Sequence, residues 1–289
     1  MRTRTLRTTF TSLLVASAVT VLVPSPASAA DPGQCMTSAT GRSEDLRPGR
    51  QLAPGTSLIP TPGKAELVMQ PDGNLVVYAP GRPGGYKLPL WSSGTYGNPG
   101  AYALMQDDGN FVVYRQGGGP RTGGALWDSA TYGSRANTYM AASIKDNGEL
   151  SVSGRSEQTW RSGTEEWHVR LCSTDPSWSR GLWAQSATAW LVLQRDNNLV
   201  MYRKSDGKAI WSSGTYAGRN ALNLEMGDNG NLTLREYGLN GTVRWSTGTG
   251  GNTGAYALLQ DDGNFVVYKK DGGPGKGGAL WATGTYDKI

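Results

Sequence analysis

Along the chain, short apolar runs alternate with clusters of Gly, Asn, Asp and Pro, and no long stretch carries a 3.6-residue helical period. This pattern predicts an all-β protein of short strands joined by tight turns. The pattern also repeats. Residues 101–133 and 255–287 are identical at 23 of 33 positions. Within each half a shorter unit recurs: an apolar strand, an Asp-Gly-Asn-like turn, a second strand, a Gly-rich loop and a Trp. The unit tryptophans are Trp91, Trp127, Trp160, Trp211, Trp245 and Trp281, which makes six units, three per half.

The centre of each unit carries the spacing Q-x-D-x-N-x-V-x-Y. It is complete at Gln70, Asp72, Asn74, Val76 and Tyr78, and at Gln106, Asp108, Asn110, Val112 and Tyr114. It is complete again at Gln194, Asp196, Asn198, Val200 and Tyr202, and at Gln260, Asp262, Asn264, Val266 and Tyr268. The third unit reads Lys145, Asn147, Glu149, Ser151, Ser153, and the fifth reads Gly227, Asn229, Asn231, Thr233, Arg235. The longest interval between motifs falls between the third and fourth units, so the boundary between halves is placed around residues 164–180.

On a strand, alternate side chains share a face, so the five motif residues are expected on one face of an extended segment no longer than about 26 Å. The intervening Met69, Leu75 and Val77 then point into a core. The motif face offers a carboxylate, two amides, a small apolar patch and a phenol, which suits the hydroxyls and C–H face of a sugar. The turn and strand residues have a structural reading too. Two broken copies beside four complete ones favour binding, because they imply a fold that tolerates Lys or Gly at the Gln position.

Composition adds the compartment. Arg2, Arg4 and Arg7, the apolar run Ser12 to Val23 and the triplet Ala27-Ser28-Ala29 have the layout of a secretory leader over residues 1–29. The run is too short to span a bilayer as a helix, and no second segment of spanning length follows. The net charge of +5 falls to +2 once the leader's three arginines are removed. No basic stripe with interleaved aromatics is present, so nucleic acid is not an expected partner. Export permits a disulfide between the two cysteines, Cys35 and Cys172; two free thiols are the alternative. One tryptophan per unit reads as a core cluster in each half rather than as stacking platforms for sugar. Trp167, Trp178, Trp183 and Trp190 are expected to seal the two halves together.

Catalysis has little support. The single histidine, His168, lies in the stretch between the halves, and there is no G-x-S-x-G, H-E-x-x-H or P-loop motif. Asp107–Asp108 and Asp261–Asp262 are adjacent residues facing opposite ways, unlike two carboxyls flanking one glycosidic bond. The turns lack the spaced oxygens of a calcium loop. No cofactor or metal is expected.

The repeated motif, the L-W-S-S-G-T element after it, and the opening segment 46–70 resemble the bulb-type, monocot mannose-binding lectins. The resemblance covers nearly the whole chain after the leader. It implies two tandem β-prism II domains, residues 30–165 and 166–289, each with three four-stranded sheets about a pseudo-threefold axis. It further implies that Asp and Asn contact the 2-hydroxyl of mannose, Gln the 3-hydroxyl and Tyr the 4-hydroxyl, with Val under the ring. The expected partners are mannose-containing or mannose-like glycans met outside the cell, and homo-oligomerisation is left open. Tandem domains in a chain of this size also resemble the lectin-like bacteriocins, which kill related bacteria after binding surface polysaccharide. In the second half, residues 181–194 do not match the family's opening, so its first sheet is expected to be irregular.

Overall fold

The computed structural model describes residues 41–81, 85–133, 140–154, 158–167, 169–216, 220–238 and 241–289. The leader, Cys35 and His168 lie outside them.

All the regular elements described are strands. A threading segment opens the first half, with β1 (Ser43–Leu46), β2 (Gln51–Leu52) and β3 (Ser57–Leu58). Three strand triplets follow. They are β4 (Glu66–Met69), β5 (Leu75–Tyr78) and β6 (Pro89–Ser92), then β7 (Tyr102–Met105), β8 (Phe111–Gly119) and β9 (Gly123–Asp128), then β10 (Ala141–Lys145), β11 (Leu150–Ser153) and β12 (Gln158–Arg161). The threading segment gives one strand to each triplet, so the sheets are β3-β4-β5-β6, β2-β7-β8-β9 and β1-β10-β11-β12, antiparallel throughout.

The second half repeats this plan: β13 (Arg170–Leu171), β14 (Trp183–Gln185), then β15 (Ala189–Leu193), β16 (Leu199–Arg203), β17 (Ala209–Ser212), β18 (Leu222–Met226), β19 (Leu232–Glu236), β20 (Val243–Ser246), β21 (Tyr256–Leu259), β22 (Phe265–Gly273) and β23 (Gly277–Ala282). Its sheets are β14-β15-β16-β17, β18-β19-β20 and β13-β21-β22-β23. The sheet expected to be irregular, β14–β17, is complete. The short one is β18–β20, whose edge is met by a single bridge from Trp178 to Leu224, with backbone bonds of 2.7 and 2.9 Å. Strand addition is a backbone interaction that needs only one apolar side chain turned inward. Leu171, Trp178 and Ala184 meet that need without copying the first half's sequence.

Period-two alternation builds two cores. Leu67, Met69, Leu75 and Val77, with their counterparts Ala103, Met105, Phe111, Val113, Ile144, Leu150 and Val152, are fully buried in the first. At the axis Trp91, Trp127 and Trp160 pack edge to face, with centroids 5.2 to 5.6 Å apart. Trp211, Trp245 and Trp281 do the same in the second core at 5.4 to 5.8 Å. One ring per sheet meeting in this geometry is what a threefold arrangement of aromatic quadrupoles favours.

The junction tryptophans divide their work, contrary to the sequence expectation. Trp167 and Trp178 pack into the second core. Trp183 and Trp190 are fully buried beside Ala79 and Leu88 of the first half, and these two seal the halves. Trp183 also donates from Nε1 to the Thr164 carbonyl at 2.8 Å.

Candidate carbohydrate-binding sites

The motif is not a single extended segment. Gln70 directly follows the first strand of its hairpin, Asp72 sits in the turn, Asn74 directly precedes the second strand, its carbonyl accepting from Gln70 N, and Val76 and Tyr78 lie on that strand. The turn brings together the ends that an extended chain would hold about 26 Å apart. Gly73 makes it possible: its φ is +93°, and a Cβ there would lie 2.1 Å from the Asn98 carbonyl oxygen. Asn197, at φ +76°, takes the equivalent place in the fourth unit, as the short side chain of Asn allows. Its amide also links to the next unit, accepting from Leu222 N and donating to Asn220 O.

In all four complete motifs the Gln amide is hydrogen-bonded to the Tyr hydroxyl. Gln70 Nε2 donates to the Tyr78 hydroxyl at 2.8 Å, and Gln194 to that of Tyr202 at 2.6 Å. At Gln106 and Gln260 the orientation that satisfies the neighbours is reversed. Nε2 donates to both carboxylate oxygens of Asp108 (3.0 and 3.1 Å) or Asp262 (3.2 Å each), and Oε1 accepts from the hydroxyl of Tyr114 or Tyr268. One carboxylate oxygen of each Asp closes the turn by accepting from the backbone N–H of Asn74, Asn110, Asn198 or Asn264 at 2.9–3.0 Å. The carboxylates are exposed at the rim, while Val76, Val112, Val200 and Val266 are buried in the floor. Burial pushes the phenols of Tyr78, Tyr114 and Tyr202 above the usual tyrosine range, so they remain neutral at physiological pH.

The asparagines are anchored by residues to which the sequence reading gave no role. Asn74 Oδ1 accepts from Ser93 Oγ (3.3 Å) and Thr95 N (3.1 Å), and Thr95 Oγ1 donates back to Gly73 O at 2.6 Å. The pairs Ser129/Thr131, Ser213/Thr215 and Thr283/Thr285 repeat this around Asn110, Asn198 and Asn264. The clue was the L-W-S-S-G-T element, whose Ser and Thr recur at a fixed distance after each Trp. With Oδ1 held this way, Nδ2 of Asn74, Asn198 and Asn264 is the amide donor left for a ligand.

The degenerate units keep the turn and fill the face. Asn147 and Asn229 close their turns through Oδ1 at 3.1 and 3.0 Å, as Asp does elsewhere. Where a complete motif pairs Gln with Tyr, the third unit has a Lys145–Glu149 ion pair at 3.5 Å. The fifth has Arg235 Nε donating to Glu225 at 2.8 Å and Nη1 to the Gly241 carbonyl. Those groups spend their hydrogen-bonding capacity on each other.

In each half, three antiparallel sheets around a tryptophan axis, two of them bearing the polar motif over a valine floor, define a β-prism II protein, the architecture of the bulb-type lectins. No protein-family model matches the chain. It is 34% identical over 100 residues to the mannose-specific lectin 2 of Colocasia esculenta, a match covering 34% of this chain and 33% of that lectin. To the mannose-specific lectin of Aloe arborescens it is 31% identical over 94 residues, covering 32% of this chain and 77% of that protein. A two-domain fetuin-binding lectin of Scilla campanulata aligns in structure at 22% identity, covering 81% of this chain and 94% of that one, with a TM-score of 0.31. That score is low, and the fold rests on the sheet topology. The chain belongs to the monocot mannose-specific lectin family.

Proposed function

We propose that this chain is a secreted carbohydrate-binding protein that recognises mannose or mannose-like sugars on polysaccharides or glycoproteins. Its sites are the four complete motifs, carried by domains 30–165 and 166–289 after removal of residues 1–29. The observation that carries the reading is the contrast between the sheets: four present an exposed carboxylate with an amide and a phenol over a valine floor, and two carry an ion pair on the same face. The relatives are named for mannose, and an exposed carboxylate beside an anchored amide suits a vicinal pair of sugar hydroxyls. A glycan array of the secreted protein tests it. Signal concentrated on mannose-terminated structures is expected, and an array silent for mannose-type sugars would refute it.

We also propose that Cys172, which is buried against Tyr256, Leu258, Val266 and Tyr268, is joined to Cys35. The closed loop is long, and the chain-entropy model gives such a bridge roughly 5 kcal/mol as an upper value. Intact mass after alkylation without reduction is expected to show no added label; two labelled thiols would rule the bridge out.

A further inference from the structure

Two of the four motif sheets carry an overhanging arm. β8 runs nine residues and β9 six, against four each for β5 and β6, and β22 and β23 repeat the longer lengths. A tyrosine hydroxyl ties each arm to the strand beside the motif, Tyr102 to the Gly118 carbonyl at 2.7 Å and Tyr256 to the Gly272 carbonyl at 2.8 Å.

The two arms have different surroundings. Beside the second motif, the arm and the adjoining strand enclose an open recess of about 590 Å³ that contains Gln106 and Asp108 themselves, together with Asp107, Tyr102, Leu104 and Arg121. Tyr102 and Leu104 are half-buried there. Beside the sixth motif, the matching Tyr256 and Leu258 are 5% and 4% exposed. Cys172 and Val169 pack against them, and Arg170 lies over the Tyr256 ring at 3.7 Å. β13 brings Arg170 opposite Leu258, whereas β2 brings Gln51 opposite Leu104.

We propose that the recess at Gln106–Tyr114 is a second subsite, so that this site takes a disaccharide unit while Gln260–Tyr268 takes a single ring. The inference rests on the lectin reading above. Its volume lies within the roughly 300–1,000 Å³ of small-ligand sites, and it opens directly from the residues proposed to hold the first sugar. Leu104 and the Tyr102 ring offer apolar surface for the C–H face of the neighbouring ring. Asp107 and Arg121 offer an acceptor and a donor for its hydroxyls. Two carboxylates against one guanidinium make the recess net negative, so the ligand is a neutral sugar rather than a phosphorylated or uronic one.

Two variants of the full secreted chain isolate the sites. Asp72→Asn, Asp196→Asn and Asp262→Asn together leave the second motif; Asp72→Asn, Asp108→Asn and Asp196→Asn leave the sixth. Each is titrated calorimetrically with methyl α-mannoside and with α-linked mannobioses of the common linkages. The first is expected to bind at least one mannobiose about tenfold more tightly than the monosaccharide, and the second to show a ratio within about twofold. Adding Arg121→Ala to the first is expected to narrow its ratio. A ratio under about twofold for every linkage at the second motif, with monosaccharide binding intact, overturns the subsite and leaves the lectin reading standing. Loss of all sugar binding in both variants, with wild-type protein equally silent, overturns the lectin reading and the subsite with it.

Discussion

The fourfold variant Asp72→Asn, Asp108→Asn, Asp196→Asn, Asp262→Asn is expected to lose measurable binding to mannan while unfolding at nearly the wild-type temperature. The choice of Asn rather than Ala follows from the geometry. Each Asp does two things at once: one oxygen closes the turn by accepting from the N–H two residues on, and the exposed carboxylate faces solvent at the rim of the site. Alanine would remove both functions and confuse a broken turn with a lost ligand contact. The protein already contains the control, because Asn147 and Asn229 close equivalent turns through their amide oxygens. The substitution should therefore change stability by no more than about 0.5 kcal/mol per exposed site. Binding should suffer much more. A hydrogen bond to a charged group is worth about 1.5–3 kcal/mol, which corresponds to about tenfold or more in affinity at each site. Calorimetric titration with mannan, together with near-ultraviolet circular dichroism of the two tryptophan clusters, separates the outcomes. Binding retained with an intact tryptophan signal would show that these carboxylates are not the sugar contacts.

The sequence was most informative where a side chain has one job. Met69, Leu75 and Val77 alternate at period two, and the sheets bury all three completely. The six unit tryptophans recur in register, and they meet in two axial clusters. The reading failed where backbone geometry intervenes. Spacing by two suggested one extended segment while the Asp-Gly-Asn signal predicted a turn between two strands, and the turn prevails: Gly73 folds the motif into a hairpin and sets Gln70 against Tyr78. Both arrangements put the same residues on one face, so alternation alone cannot separate them. Strand pairing is similarly hidden. The segment 170–185 supplies edge strands without the expected opening motif, because main-chain hydrogen bonds carry no residue signature beyond an inward apolar side chain. The junction was half legible: four crowded tryptophans marked it, but only contact with Ala79 and Leu88 distinguishes Trp183 and Trp190 from the two that belong to the second core.

That junction bears on the second large effect expected, a strong preference for polymeric over free mannose. Each proposed sugar position has an exposed carboxylate rim, so a single sugar ring is expected to bury little surface and to compete with water for every hydrogen bond. Binding at one site alone is therefore expected to be weak. Two proposed sites lie in each half, and the halves are held by fully buried Trp183 and Trp190, by Trp183 Nε1 on the Thr164 carbonyl, and by the Glu166 N–H on the Asn147 carbonyl at 2.7 Å. Hinging at this seam would expose two indoles to water, so the spacing between sites is fixed. A branched glycan that fits this spacing engages several sites at an effective concentration set by geometry, which can raise overall affinity by roughly 10²–10⁴ without any new contact. Cutting the chain between the halves would expose the same indoles, so the sound comparison keeps the whole chain and silences sites within it. Asp72→Asn with Asp108→Asn silences the first half, and Asp196→Asn with Asp262→Asn the second. On a mannan-coated surface both double variants are expected to dissociate at least about tenfold faster than wild type, while methyl α-mannoside binds their remaining sites with wild-type affinity. Dissociation at the wild-type rate from either double variant would show that the halves bind independently and that linkage across the junction adds nothing.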